Sequence, residues 1–221
     1  MFKAFKRRAV ASFDICPRSP LTIGSGSSNE LDPSLPDITF VSGFDGAQRA
    51  FVIPGSSLKG VLRSYIEKNY SVSAASALFG ALKTAKDGST KSKIAVYDAF
   101  ADMSKTQYSV RYQIKIDPHN QCTNKSSLRN IQTVNQGVFK ASFAITNFSD
   151  DELKYVYDAL NRLNDGLLRL GAKTSVGFGK VSIENFKLRI YLTPDPVTLS
   201  PRYRDFEGLD FNALDLQERS S

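Results

Sequence analysis

The sequence predicts an α+β domain in which strands and helices follow in the order βαββαβ over one antiparallel sheet. Three observations carry that prediction. Apolar residues without helical spacing, the mark of strands, recur at residues 10–16, 108–116 and 138–146. Two stretches of helical apolar spacing, at residues 58–66 and 153–170, separate the outer strands from the middle pair. A glycine-rich turn then leads from the second helix into a last long strand, residues 180–192.

Each element has its own signal. Residues 10–16 hold Val10, Phe13 and Ile15 and are stopped by Pro17 and Pro20. Residues 21–23 extend briefly before a flexible Gly/Ser loop from Gly24 to Asn29. Residues 30–52 read as irregular, with Pro33, Pro36, Gly43 and Gly46, and a short extended piece, 51–53, ends at Pro54. Ser56 or Ser57 is read as the N-cap of the first helix, where Leu58, Val61, Leu62, Tyr65 and Ile66 form one stripe. Residues 71–93, small and polar with lysines, read as a surface insertion. Residues 93–100 form a strand, and in the next Tyr108, Val110, Tyr112, Ile114 and Ile116 alternate strictly. Residues 117–136 lack apolar period, are rich in Asn, Gln, Ser and Thr, and exceed what a connection needs. Phe139, Ala141, Phe143 and Ile145 share one face of the following strand. Ser149-Asp150-Asp151-Glu152 is a capping box; the stripe after it runs from Leu153 to Leu170, with Gly171 as the stop. This order is the ferredoxin-like, RRM-like plan of RNA-recognition domains. The expectation is a single domain at 1–193 with insertions at 24–52, 71–93 and 117–136, then an acidic tail at 194–221.

Charge points to a polyanion. The chain has 221 residues, 29 basic and 22 acidic, a net +7. The tail holds Arg202, Arg204 and Arg219 against Asp195, Asp205, Glu207, Asp210, Asp215 and Glu218, so the body is more basic than the whole. A basic body suits nucleic acid and an acidic tail suits a protein surface, its own or a neighbour's. Cys16 and Cys122 make no metal or disulfide pattern, which implies a reduced, cytoplasmic setting. No apolar run is long enough to span a bilayer, so no membrane partner is expected. His119 is the only histidine, which excludes paired-histidine acid–base chemistry.

Two segments are built to meet phosphate. In the first, Gly171, Gly177 and Gly179 let backbone approach a ligand, Lys173 and Lys180 add charge, and Thr174 and Ser175 add hydroxyl donors. Phe178 stands between two of the glycines, either packed beneath the loop or facing a base. A plain helix-to-strand turn accounts for the same residues equally well. The glycines precede a strand, so this is no P-loop, and a nucleotide hydrolase is disfavoured. The second segment is the first helix's start, where Ser56, Ser57, Lys59 and Arg63 surround its N–H groups. Ordinary capping explains that start as well.

Together these segments resemble the RAMP superfamily (repeat-associated mysterious proteins) of CRISPR-associated proteins. The glycine-rich loop is similar to that family's hallmark, and the run from Ile53 to Arg63 to its backbone-subunit branch. The run from Ser19 to Gly26 resembles the family's element after the first strand. The resemblance spans most of residues 1–192. It implies a CRISPR RNA-binding backbone subunit of a type III effector complex in antiviral defence. Its partners would be CRISPR RNA, target single-stranded RNA and other subunits, further RAMP subunits included. It also implies a β-hairpin thumb, with 117–136 as the candidate and Lys125 and Arg129 placed to reach phosphate; Leu128 or Ile131 would wedge between base pairs. In the target-cleaving branch a loop aspartate acts with Mg²⁺ or Mn²⁺. Asp37 holds that place as catalytic residue and metal ligand, flanked by Asp32 and Asp45. The family's proline follows its aspartate, whereas Pro36 precedes Asp37. Two alternatives remain within the family: a structural subunit without nuclease activity, and a guide-processing endoribonuclease. The latter is disfavoured by a chain too short for two ferredoxin-like halves.

Overall fold

The computed structural model describes residues 7–24, 36–81, 91–114, 128–192 and 202–210. Four strands and two helices form the expected core. Strand β1 (Arg7–Pro17) lies between β8 (Phe139–Thr146) and β9 (Val181–Leu192), antiparallel to both. Two short strands, β4 (Ile94–Val96) and β5 (Ala99–Ala101), pair with the far edge of β8. The spatial order β9, β1, β8, β4/β5 is that of a ferredoxin-like sheet, so the fold is α+β as predicted. Beyond β5 the sheet continues into β3 (Gln48–Ile53) and β2 (Ser42–Asp45). Those two form a hairpin inside a stretch that sequence alone reads as largely irregular.

The sheet's period of two decides its faces. Ala9, Ala11, Phe13 and Ile15 of β1 are buried against the helices, while Arg8 and Ser12 face outward and are exposed. Helix α1 (Gly55–Asn69) contributes Leu58, Leu62 and Ile66 to the core. Helix α3 (Asp150–Asn164) contributes Leu153, Val156, Tyr157, Leu160 and Leu163. The capping box at its start is formed in full: Ser149 accepts from the Glu152 N–H, and Glu152 accepts from the Ser149 N–H.

Four expectations are corrected. The cap of α1 is Pro54, with no side-chain cap bond; Asp98 instead accepts from the Gly55 N–H at 2.7 Å. Residues 71–93 contain helix α2 (Val72–Phe79), which buries Ala75, Leu78 and Phe79. Helix α3 stops at Asn164, because Gly166 turns the chain with φ 73° before Gly171 is reached. Strand β7 (Arg129–Gln136) occupies the apparently aperiodic end of 117–136 and pairs with β6 (Gln107–Gln113). Part of the tail also joins the sheet: β10 (Tyr203–Glu207) pairs with the free edge of β9. Phe206 and Leu209 pack against the core, and Phe211 and Leu214 lie outside the described residues. Among the described residues no helix is long and apolar enough to cross a membrane.

Candidate nucleic-acid interface

Three segments far apart in sequence line one groove of about 710 Å³. Its walls are one face of α1, the glycine loop, and Ile23-Gly24 after β1. On α1 the lining residues Ser57, Val61, Ser64 and Lys68 recur at intervals of three and four, one helical face. Ser56, close to the helix start, adds a second hydroxyl. From Ser57 to Lys68 this face runs for about 17 Å at 1.5 Å per residue. Opposite stand Arg169, Gly171, Ala172 and Thr174. Hydroxyls along the helix and cations at Lys68 and Arg169 suit a sugar–phosphate chain better than an apolar ligand.

The glycine loop is held open by its backbone. Lys173 lies in the left-handed region (φ 60°), a short 3₁₀ turn covers Thr174–Val176, and Gly177 and Gly179 have φ of 96° and 82°. Both glycines therefore have positive φ. Residues 171–177 are all exposed. A Cβ on Gly171 would collide with the Thr22 carbonyl, and one on Gly179 with the Leu170 carbonyl. The Ala172 N–H donates to Thr22 O and the Gly179 N–H to Pro20 O, tying the loop to the segment after β1. Phe178 is buried beneath the loop, with Arg111 of β6 over its ring at 5.6 Å and Arg169 donating to its carbonyl. Its ring supports the loop and is not presented to a base.

Of the residues singled out from sequence, Ser56, Ser57, Gly171 and Thr174 meet in the groove. Lys173, Ser175, Gly177 and Lys180 are exposed on or just beyond the loop rim. Lys59 and Arg63 are turned elsewhere: Lys59 donates to Ser92, while Arg63 pairs with Glu67 and donates to the Gly80 carbonyl. A helix that buries one stripe must send neighbouring residues to different sides, and cations chosen by closeness to the cap ignore that geometry. Lys68 and Arg169 were missed. Lys68 was legible from its spacing with Ser57, Val61 and Ser64, whereas Arg111 is brought to the loop by strand pairing alone.

Asp37 lies beside β7 at the loop-ward end of the β6–β7 ladder, where Asn130 pairs with Tyr112. Its Oδ2 accepts from the Asn130 N–H at 2.7 Å, and Ile38 pairs in parallel with Ile131. Arg129 is exposed next to them; Lys125, His119, Cys122 and Asp32 lie outside the described residues. Asp45 is in the β2–β3 turn region. Ile131 is fully buried and cannot wedge between bases, whereas Leu128 is exposed. Among the described residues no group of three or more His, Cys, Asp or Glu side chains could hold a metal ion. Asp37 is a single carboxylate, so a divalent cation would need water and RNA phosphate to complete its shell, a donor set that suits Mg²⁺ with RNA in place.

At the groove wall, Tyr65, a lining residue, and Tyr70 both donate to Asp158 Oδ2, at 2.6 and 2.9 Å, and Arg162 approaches the same carboxylate. Burial, then the bond to Asp158, pushes the Tyr70 phenol up to about 12, and the same two causes raise Tyr65.

Comparison with known proteins places this geometry in context. The model of the RAMP superfamily matches residues 17–182. A chain in the cryo-EM structure of the Type III-B Cmr-beta bound to cognate target RNA has the same fold, with a TM-score of 0.60 and 19% identity. That similarity covers 82% of this chain and 61% of the other, so the match spans about three-fifths of the larger chain. No curated protein sequence matches.

Proposed function

This chain belongs to the RAMP superfamily, and from that premise we propose that it is an RNA-binding backbone subunit of a type III CRISPR effector complex. The guide's sugar–phosphate chain lies in the groove between α1 and the glycine loop, and the β6–β7 hairpin acts as the thumb. One observation carries the reading: the post-β1 segment, the start of α1 and the glycine loop converge on a single groove edged by Lys68 and Arg169. The fold shared with a chain of a target-RNA-bound Type III-B assembly supports it. Its partners are CRISPR RNA, target RNA and further effector subunits, and its setting is the cytoplasm.

Cleavage of the bound target is assigned to Asp37. The carboxylate orients a target ribose 2′-hydroxyl and takes its proton as the 2′-oxygen bonds to the adjacent phosphorus. The bond to the 5′-oxygen breaks, and that oxygen is protonated from water. A Mg²⁺ or Mn²⁺ ion held by Asp37 and RNA phosphate would supply charge stabilisation at the scissile phosphate.

Two measurements test this. The purified subunit or complex is expected to carry short repeat-derived RNA, read by sequencing; a nucleic-acid-free protein would contradict the binding role. Asp37→Ala is expected to abolish target cleavage at this subunit's positions while RNA binding persists. Undiminished cleavage at those positions would overturn the assignment of cleavage to Asp37.

A further inference from the structure

The edge of β7 that faces away from β6 carries a short ladder onto the Asp37 segment. The Asn130 N–H donates to Asp37 Oδ2 at 2.7 Å, and the Ile38 N–H donates back to the Asn130 carbonyl at 3.1 Å. The Gln132 N–H donates to Ile38 O at 2.9 Å, and Gln132 Oε1 accepts from the Phe40 N–H at 3.0 Å. Two residues on, Leu21 and Val134 exchange both backbone bonds at 2.9 Å. Three of these contacts fix the main chain of residues 38–40. Only the first reaches a side chain of the 37–40 segment, and that side chain is the carboxylate assigned to cleavage. Ile131 and Val134, both fully buried, anchor the strand that makes them.

We propose that Asn130 is a positioning residue, whose main-chain N–H seats the Asp37 carboxylate on hairpin strand β7 so that its orientation follows the hairpin. The inference rests on the assignment of cleavage to Asp37 and adds what aims it. One carboxylate oxygen is held by a rigid donor, which leaves the other to meet the ribose. A hairpin displaced from the sheet carries its N–H away and lets the carboxylate rotate, so cleavage is tied to the hairpin's seating. The N–H points away from β6, so it can be removed without unpairing the hairpin.

The tether is first read without activity, by hydrogen exchange on the free chain. The Asn130 amide is expected to keep its protection in Asp37→Asn, which retains an acceptor. In Asp37→Ala it is expected to exchange at least about tenfold faster, the equivalent of about 1.4 kcal/mol. Equal protection in both variants would overturn the tether. In the assembled complex, Asn130→Pro deletes the donor. It is expected to slow cleavage at saturating target by about 100-fold, the scale of a misplacement of about 1 Å, with target affinity unchanged. Full-speed cleavage by Asn130→Pro beside an inactive Asp37→Ala would overturn the positioning role and leave the cleavage assignment standing. Full-speed cleavage by Asp37→Ala would overturn both. Should Asn130→Pro fail to fold, the exchange comparison decides alone.

Discussion

Gly177 and Gly179 stand two residues apart with φ of 96° and 82°, yet they tolerate a side chain differently. Around Gly177 there is open space, so Gly177→Ala meets only the left-handed backbone cost, about 1 kcal/mol. At Gly179 the new methyl would also strike the Leu170 carbonyl. Gly179→Ala is therefore expected to cost about 3 kcal/mol or more, adding a steric clash to the strain of a left-handed residue. Urea unfolding of the two variants checks the order; equal losses would contradict it. A glycine-dependent turn in this loop was legible in the sequence. Which of them is enclosed was not, because Leu170 reaches Gly179 only through the folded turn.

Helices α1 and α3 are joined at one carboxylate. Asp158 accepts from Tyr65 and Tyr70, the first on α1 and the second just past its end. The folded-state pKa of Tyr70 is raised to about 12 from an ordinary 10, so folding favours the neutral phenol. That contribution is fully present below pH 10 and is lost as pH rises from 10 through about 12. Stability is expected to fall across that window, and Tyr70→Phe is expected to flatten the fall; an unchanged slope would contradict the assignment. Asp158→Ala removes the acceptor of the part-buried Tyr65 hydroxyl and of the exposed Tyr70 hydroxyl, and is expected to cost about 1 kcal/mol by denaturant unfolding. The capping box of α3 could be read directly, since its two bonds depend on residues three apart. Its C-terminus could not, because Leu167, Leu168 and Leu170 prolong the apolar pattern past Gly166. Leu167 proves exposed, whereas Leu170 is buried beneath the glycine loop.

Across the whole molecule, the groove separates cations that line it from cations that do not. Substituting Ala for both Lys68 and Arg169 is expected to weaken binding of unrelated single-stranded RNAs alike. The salt dependence should fall by about 1.4, at roughly 0.7 per phosphate contact. Lys59→Ala with Arg63→Ala is expected to leave that slope unchanged, since both side chains are satisfied within the protein. A titration over ionic strength distinguishes the pairs, and a larger effect from the second would refute the placement of the guide. The acidic tail follows the same logic. Arg189 pairs with Asp205 through two bonds and Lys187 with Glu207, which seat β10 on the sheet's edge. These pairs are exposed and screened by solvent, so Asp205→Ala is expected to leave stability in denaturant unfolding nearly unchanged.

By itself the sequence determined the order of the core strands and helices, the apolar faces, the capping box and the loop that needs glycine. Each of these follows from residues within a few positions of one another, through alternation, helical spacing or backbone freedom. Only the tertiary structure decided which distant segments meet. Strand β7 reads as a polar excursion because its edges are satisfied by β6 on one side and by residues 21–22 and 37–40 on the other. Pairing across such separations leaves no local period. The same cause hid Asn130 beside Asp37, Arg111 beside Phe178 and the turning of Lys59 and Arg63 from the groove, since none of these contacts is made between neighbours in the chain.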